Sequence, residues 1–165
     1  MTLFGASIAS IIVVMLAITA TAGAGAQLTV IGDWYRNLRK PPWNPPVWLF
    51  PPAWTLIFLM LGVAVIAGWN SPRGTPGMRA ALAAAFVTNL LCNVGWSALF
   101  FHRQRPDHAL REVGFLWLSI VALIVAVRPL STLGAWLLVP YLLWVSFASM
   151  LNYRIVTLNE PFPQH

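Results

Sequence analysis

The sequence predicts an all-α membrane protein, a five-transmembrane-helix bundle that forms a single domain over residues 1–165. Three observations lead to this prediction. Hydrophobic residues make up 59% of the chain and charged residues only 8%, whereas soluble domains carry about 25% charged residues. Five apolar segments approach the roughly 20 residues that a helix needs to cross a bilayer. None of them alternates as a transmembrane β-strand does, so a helical bundle is the spanning architecture that remains.

The predicted helices are separated by loops rich in glycine and proline. We expect helices over about residues 4–27, 47–69, 78–101, 112–127 and 133–157. The fourth lies at the short end of the spanning range, because Arg128 and Pro129 end it. Pro140, near the start of the fifth, is expected to kink that helix.

The first segment allows a second interpretation, since its last residues resemble a signal-peptidase site. Ala-Gly-Ala steps between Thr19 and Gln27 carry this resemblance. However, no Lys or Arg precedes Ile11, so the positive region of a signal peptide is missing. We therefore expect a retained first helix.

The basic residues predict an orientation. One side of a five-helix bundle would hold Arg73, Arg79 and Arg128. The other side, with the first loop and the C-terminal end, would hold Arg36, Arg39, Lys40, Arg103, Arg105, Arg111 and Arg154. The positive-inside rule predicts that this second side is cytoplasmic if the protein lies in a bacterial inner membrane. Because these residues are scattered between apolar segments, no nucleic-acid partner is expected.

Three predicted helices each carry one face of aromatic, amide and small side chains. Asparagine in hydrocarbon needs a partner, so these faces are expected to point inward. They are either helix-packing interfaces or the walls of a flat apolar cavity for a planar ligand that stacks on indole. The faces comprise Trp54, Phe58 and Gly62 in the second helix, Asn89, Asn93 and Trp96 in the third, and Tyr141, Trp144, Ala148 and Asn152 in the fifth.

The first loop is rich in proline and tryptophan. Four prolines fix the backbone angle φ between Lys40 and Trp48, which predicts a stiff cap at the membrane surface. An interfacial aromatic belt is the alternative interpretation of the tryptophans.

Three blocks of sequence resemble the translocator protein, or tryptophan-rich sensory protein (TspO/MBR), family. They contain KPPWNPPVW at positions 40–48, NVGWSALFF at 93–101 and AWLLVPYLLW at 135–144. The resemblance runs from about residue 34 to residue 159, while the first helix matches in position and character only.

This resemblance implies an integral membrane receptor or sensor that binds tetrapyrroles, such as protoporphyrin IX or haem, and regulates porphyrin or pigment metabolism or a stress response. No cofactor is obligatory, because the tetrapyrrole is the ligand. The family's pocket lies between the helices under the first loop. Its positions correspond to Tyr35, Pro45, Trp54, Phe58, Asn93, Trp96, Trp144 and Ala148.

The propionates of such a ligand would reach cations at the rim of the pocket. Arg36, Arg39 and Lys40 are the candidates, through charge-assisted hydrogen bonds. The alternative is that these cations only set the orientation of the chain.

A sterol or another lipid is a further possible partner. The family's sterol-recognition pattern needs a basic residue after a short spacer beyond its tyrosine. Here Arg154 follows Tyr153 immediately, so the pattern fails as written.

No catalytic or metal site is expected, and the chain is not predicted to be an enzyme. The four acids lie in or beside predicted loops, Cys92 stands alone, and no nucleophile and base occur together. A transporter of porphyrin or sterol is the first alternative, although no inverted repeat or midplane charge supports it. Light-dependent degradation of porphyrin at Trp54 and Trp144 is the second alternative, and it rests on the resemblance.

A homodimer is indicated by small residues in the third helix, at the spacing that lets helices approach closely. The pairs are Ala80 with Ala84 and Ala81 with Ala85. Plain helix propensity is the other explanation for this run of alanine.

Overall fold

The computed structural model describes residues 2–3 and 6–162, and it contains five helical segments long and apolar enough to span a membrane. This confirms the predicted five-helix bundle. Two short strands, β1 (Thr2–Leu3) and β2 (Ala6–Ser7), pair antiparallel before the first helix. The helices are α1 (Ile8–Leu28), α2 (Asp33–Asn37), α3 (Phe50–Trp69), α4 (Pro76–Ser97), α5 (Pro106–Val127), α6 (Thr132–Leu137) and α7 (Val139–Asn159).

Each of the first three spans departs from a single α-helix or from its predicted bounds. The predicted start at residue 4 lies outside the described residues, and α1 begins at Ile8, after β2. A 3-10 turn, Val47–Leu49, leads into α3, while a π turn, Ala98–His102, extends α4. The short α2 lies within the first loop.

Proline stands in the first turn of four of the described helices. Pro51, Pro76, Pro106 and Pro140 begin α3, α4, α5 and α7 in this way. Proline suits this position because the first backbone N–H groups of a helix have no partner within the helix. The kink expected at Pro140 is a break of the fifth span into α6 and α7 at Leu138.

The fourth span is longer than predicted. It begins at Pro106 rather than at residue 112, and Asp107 lies in its first turn. A negative charge there is stabilised by the positive end of the helix dipole. The polar residues before 112 suggest a loop, but they form the first turns of α5. As a result Glu112 lies inside a spanning helix, which corrects the expectation that every charge sits at a loop or helix end.

Polar contacts join three segments at one end of the bundle. The amide of Asn70 accepts from the backbone N–H of Ser7 (2.8 Å) and donates to the Ser10 hydroxyl (2.8 Å). The Ser71 hydroxyl donates to the backbone oxygen of Leu130 (2.8 Å). The start of α1, the α3–α4 loop and the α5–α6 loop therefore share one end.

A buried hydrogen-bond network joins α4, α5 and α7. The Tyr141 hydroxyl donates to Oδ1 of Asn89 (3.3 Å) and accepts from Nδ2 of Asn93 (3.1 Å). Nδ2 of Asn89 donates to the Ser119 hydroxyl (2.9 Å). All four side chains are buried, so the inward orientation predicted for both asparagines is confirmed.

Asn152 holds the start of α5 against α7. In the amide orientation that satisfies both neighbours, its nitrogen donates to the backbone oxygen of Pro106 (3.1 Å) and its oxygen accepts from the backbone N–H of Leu110 (3.1 Å). The side chain is almost fully buried. These two bonds place α7 beside the first turns of α5.

We expect the Tyr141→Phe variant to be destabilised by about 1 kcal/mol, because it leaves Oδ1 of Asn89 and Nδ2 of Asn93 without their buried partner. Thermal unfolding of the purified protein in detergent measures this loss. Tyr153→Phe is the matched control, since the Tyr153 side chain is exposed. Equal stability of the two variants would contradict a structural role for the network.

Candidate ligand-binding site

A cavity of about 530 Å³ lies between α1, α3 and α4, below the first loop. We call it the inner cavity. Its walls are mainly apolar, which suits a hydrophobic ligand. The lining residues include Ile18, Ala22 and Gly25 of α1, Tyr35 of α2, Phe50, Trp54 and Phe58 of α3, and Asn93, Trp96 and Ser97 of α4.

Small residues of α1 leave the space for this cavity. Ala22, Gly25 and Ala26 recur at helical spacing along one face and line the cavity. A Cβ atom at Gly25 would lie 3.8 Å from the hydroxyl oxygen of Ser97, so α1 and α4 approach closely there. The sequence analysis did not identify this wall, because it considered these residues only for an alternative signal-peptidase site while expecting a retained first helix. Their spacing was the signal that could have found it.

Five of the eight predicted pocket positions lie together in the wall of the inner cavity. They are Tyr35, Trp54, Phe58, Asn93 and Trp96. The rings of Trp54 and Phe58 are 5.7 Å apart between centroids. Asn93 is held by its hydrogen bond to Tyr141, so a fixed amide stands in a mainly apolar wall.

The other three predicted positions, Pro45, Trp144 and Ala148, do not line the inner cavity. Within residues 6–162, the wall facing α3 and α4 is supplied by α1 rather than by α7. The ring of Trp144 packs 5.9 Å from that of Phe50, between centroids, and so stands behind a lining residue. Pro45 and Ala148 are half-buried elsewhere.

Lys40 stabilises the loop that covers the cavity. Its ammonium group donates to the backbone oxygens of Tyr35, Arg36 (3.4 Å) and Leu38 (3.1 Å), and lies 4.4 Å from the centroid of the Tyr35 ring. A cation at the C-terminal end of α2 satisfies carbonyl groups that lack helical partners. Partial burial lowers the pKa of Lys40, and burial raises the pKa of Tyr35.

The two predicted rim arginines are placed differently from Lys40. Arg36 and Arg39 are exposed. The backbone of Arg39 is tied to α7, since its N–H donates to Oδ1 of Asn159 (2.9 Å) and its oxygen accepts from Nδ2 of Asn159 (2.8 Å). The described residues offer neither guanidinium group an ion pair. Of the three cations, Lys40 alone is engaged through its side chain.

The inner cavity opens sideways between α1 and α3. Met15, Thr19 and Ala26 of α1 and Thr55 and Leu59 of α3 line it and are also exposed on the outside of the bundle. These residues belong to segments that span the membrane. The opening therefore faces lipid.

The predicted dimer face of α4 is only partly on the surface. Ala80, Ala81 and Ala84 are exposed, whereas Ala85 is half-buried and packs against the core. Three of the four predicted positions thus lie on one outer face, and Ala85 turns inward.

Within the described part of the chain, no three His, Cys, Asp or Glu side chains come close enough together to hold a metal ion.

Comparisons with a family profile and with individual proteins all point to one family. The sequence profile of the TspO/MBR family matches residues 10–158, a range that includes most of α1. The Tryptophan-rich protein TspO of Chlorobaculum tepidum is 44% identical over 130 residues, 76% of this chain and 79% of that protein. The Tryptophan-rich sensory protein of Cereibacter sphaeroides is 35% identical over 154 residues, 90% of this chain and 94% of that protein. The human Translocator protein is 31% identical over 122 residues, 74% of this chain and 72% of that protein.

We expect Asn159→Ala to release the first loop, because it removes both hydrogen bonds to the Arg39 backbone. Trypsin should then cleave after Arg39 about tenfold faster in detergent-solubilised protein. The control is Thr157→Ala, whose hydroxyl bonds only within its own helix, to the backbone oxygen of Arg154. Unchanged cleavage in Asn159→Ala would show that the loop is held by other contacts.

Proposed function

The chain belongs to the TspO/MBR family, and from this premise we propose that it is a membrane receptor or sensor that binds protoporphyrin IX or haem in the inner cavity. The observation that carries the proposal is the cavity itself, about 530 Å³ of mainly apolar space walled by Trp54, Phe58 and Trp96. Indole and phenyl faces suit a planar conjugated ring. Its volume lies in the range of small-molecule sites.

Polar groups would orient the ligand within this apolar space. The amide of Asn93 is fixed by Tyr141, and it lines the cavity. Arg36 directly follows Tyr35 in α2, and Tyr35 lines the cavity. We therefore assign the ligand's propionates to Arg36 or Arg39 rather than to Lys40, whose ammonium already serves three backbone oxygens.

The side opening between α1 and α3 supports a second candidate function. A hydrophobic ligand dissolved in the membrane could enter and leave through it without crossing water, as a transporter of porphyrin or sterol requires. Entry from lipid serves a receptor equally well. The names sensory protein and translocator protein, which relatives carry, correspond to these two roles.

A catalytic role has less support. The relatives are named as sensory or translocator proteins. Of the two tryptophans considered for light-dependent porphyrin degradation, Trp54 lines the inner cavity and Trp144 stands behind Phe50. We propose a binding function without turnover.

We also propose that the end carrying the first loop is cytoplasmic in a bacterial inner membrane. That end holds seven of the ten Lys and Arg residues, and the contact between Arg39 and Asn159 places the first loop beside the end of α7. Basic residues accumulate on the cytoplasmic side of inner-membrane proteins.

Ala22→Leu tests the ligand site, because the larger side chain would fill part of the inner cavity. Protoporphyrin IX is titrated in the dark into protein in nanodiscs, and tryptophan quenching is followed. We expect saturable binding to wild type and about tenfold weaker binding to Ala22→Leu. Ala20→Leu is the control, since Ala20 is exposed on the same helix and does not line the cavity. Linear quenching, equal in all three proteins, would mean partition into lipid and would contradict the proposal.

We further propose a homodimer formed through the outer face of α4. In a Cys92→Ser background, Ala84→Cys should give a disulfide-linked dimer on oxidation in membranes, since small residues allow close helix approach. Ala20→Cys, on an exposed position of α1, should remain monomeric under the same conditions. Equal cross-linking at both positions would indicate random collision.

A further inference from the structure

A second concave site lies on the outside of the bundle, between α5 and α7. It is a groove of about 670 Å³, which we call the outer groove. None of its lining residues belongs to the inner cavity, so it is independent of the proposed function. They are Leu110, Arg111, Val113, Gly114, Phe115, Trp117 and Leu118 of α5, with Ser146 and Ser149 of α7.

Small residues create the outer groove. A Cβ atom at Gly114 would meet no atom within 4 Å, so the space above this glycine is open. On the floor of the groove Ser146 and Ser149 of α7 stand one helical turn apart. Larger side chains at these three positions would fill the groove.

The polar groups on the floor of the groove are already satisfied. The Ser146 hydroxyl accepts from Nε1 of Trp117 (2.9 Å) and donates to the backbone oxygen of Leu142 (2.8 Å). The Ser149 hydroxyl donates to the backbone oxygen of Val145 (2.7 Å). The floor therefore presents an essentially apolar surface within a membrane-spanning region.

Arg111 provides the one charge in the outer groove. It is exposed, and the described residues offer its guanidinium group no ion pair or hydrogen bond. It lies in the second turn of α5, near the end of the bundle that carries the first loop. The neighbouring acid, Glu112, faces α4 instead, where its Oε1 would lie 3.6 Å from a Cβ at Gly95. Asp107, one turn earlier on α5, is paired with Arg105, so Arg111 has no ion pair among the described residues.

We propose that the outer groove binds an anionic phospholipid, with its phosphate on Arg111 and one acyl chain along Gly114 and Ser149. From Arg111 to Leu118 the groove runs about 10 Å along α5, at 1.5 Å per residue, a length that suits part of an acyl chain. A guanidinium group binds phosphate with charge-assisted hydrogen bonds. A sterol brings only a neutral hydroxyl and leaves the charge without a partner.

The test measures lipid binding to the purified full-length protein in detergent by native mass spectrometry. The probes are dioleoyl phosphatidylglycerol, dioleoyl phosphatidylcholine and cholesterol. We expect wild type to retain one phosphatidylglycerol molecule in preference to the other two lipids. Arg111→Gln and Gly114→Leu should each weaken this binding about tenfold, whereas Arg111→Lys should retain most of it, because the charge remains.

Two variants control for charge and for bulk. Arg103→Gln removes an exposed cation from the same end of the bundle. Gly23→Leu adds the same side chain at another glycine with open space above it, on α1. Both should bind phosphatidylglycerol as wild type does. Thermal unfolding of every variant in detergent shows that each is folded before binding is compared.

Several outcomes would overturn the proposal. Equal losses in Arg111→Gln and Arg103→Gln would show that any surface cation attracts the lipid. Unchanged binding in Gly114→Leu would show that the groove holds no acyl chain. Preferred retention of cholesterol would assign the groove to a sterol, and displacement of the lipid by millimolar inorganic phosphate would reduce the site to an anion contact. A dimer that carries no bound lipid in the mass spectrum would assign the groove to a second copy of the chain.

Discussion

The hydrogen-bond network of Tyr141, Asn89, Asn93 and Ser119 is the interaction on which the arrangement of this bundle depends. Lipid is as apolar as leucine, so helices in a membrane gain little from burying apolar surface against each other. Polar groups that bond only across helices therefore decide which helices stay together. Here they fix α4, α5 and α7 as one unit. Asn93 belongs to this unit and to the wall of the inner cavity, so the network also positions a ligand-facing amide.

The other helices that border the inner cavity, α1 and α3, meet the unit through small and aromatic residues instead. Ala22, Gly25 and Ala26 keep α1 close to α4 and still leave space beside it. At one end the first loop lies over this space, held by Lys40 and by the contact between Arg39 and Asn159. The space opens between α1 and α3, on the side that faces lipid. This position of the opening favours a ligand that reaches its site through the membrane.

Much of the fold and part of the site could be predicted from the sequence, for physical reasons that particular residues show. Asn89 and Asn93 had to face inward, because hydrocarbon offers an amide no partner, and helical spacing places Trp96 on the same face. Helical spacing also places Trp144 and Ala148 on one face of α7, but these residues lie outside the cavity wall. Spacing indicates that a face packs against something, and it does not identify the neighbouring element. The predicted start of α5 at residue 112 was wrong, because polar residues in the first turns of a helix resemble those of a loop. The wall built by α1 was missed because alanine and glycine carry no polar or aromatic group, so that their spacing is the signal of that face.

The basic residues of the first-loop end show how one pattern in a sequence leads to different physical roles. The positive-inside rule treats Lys40, Arg39 and Arg111 alike, yet their surroundings differ. The Lys40 ammonium binds the backbone of its own loop, the Arg39 backbone is tied to α7 while its side chain stays exposed, and Arg111 stands unpaired beside an apolar groove.

A porphyrin and a phospholipid have the same chemical character, because each joins an apolar body to an anionic group. Both proposed sites combine an apolar concave surface with a nearby arginine: Arg36 at the inner cavity and Arg111 in the outer groove. Under both proposals, charge at this end selects anionic amphiphiles, in addition to the orientation that the positive-inside rule predicts.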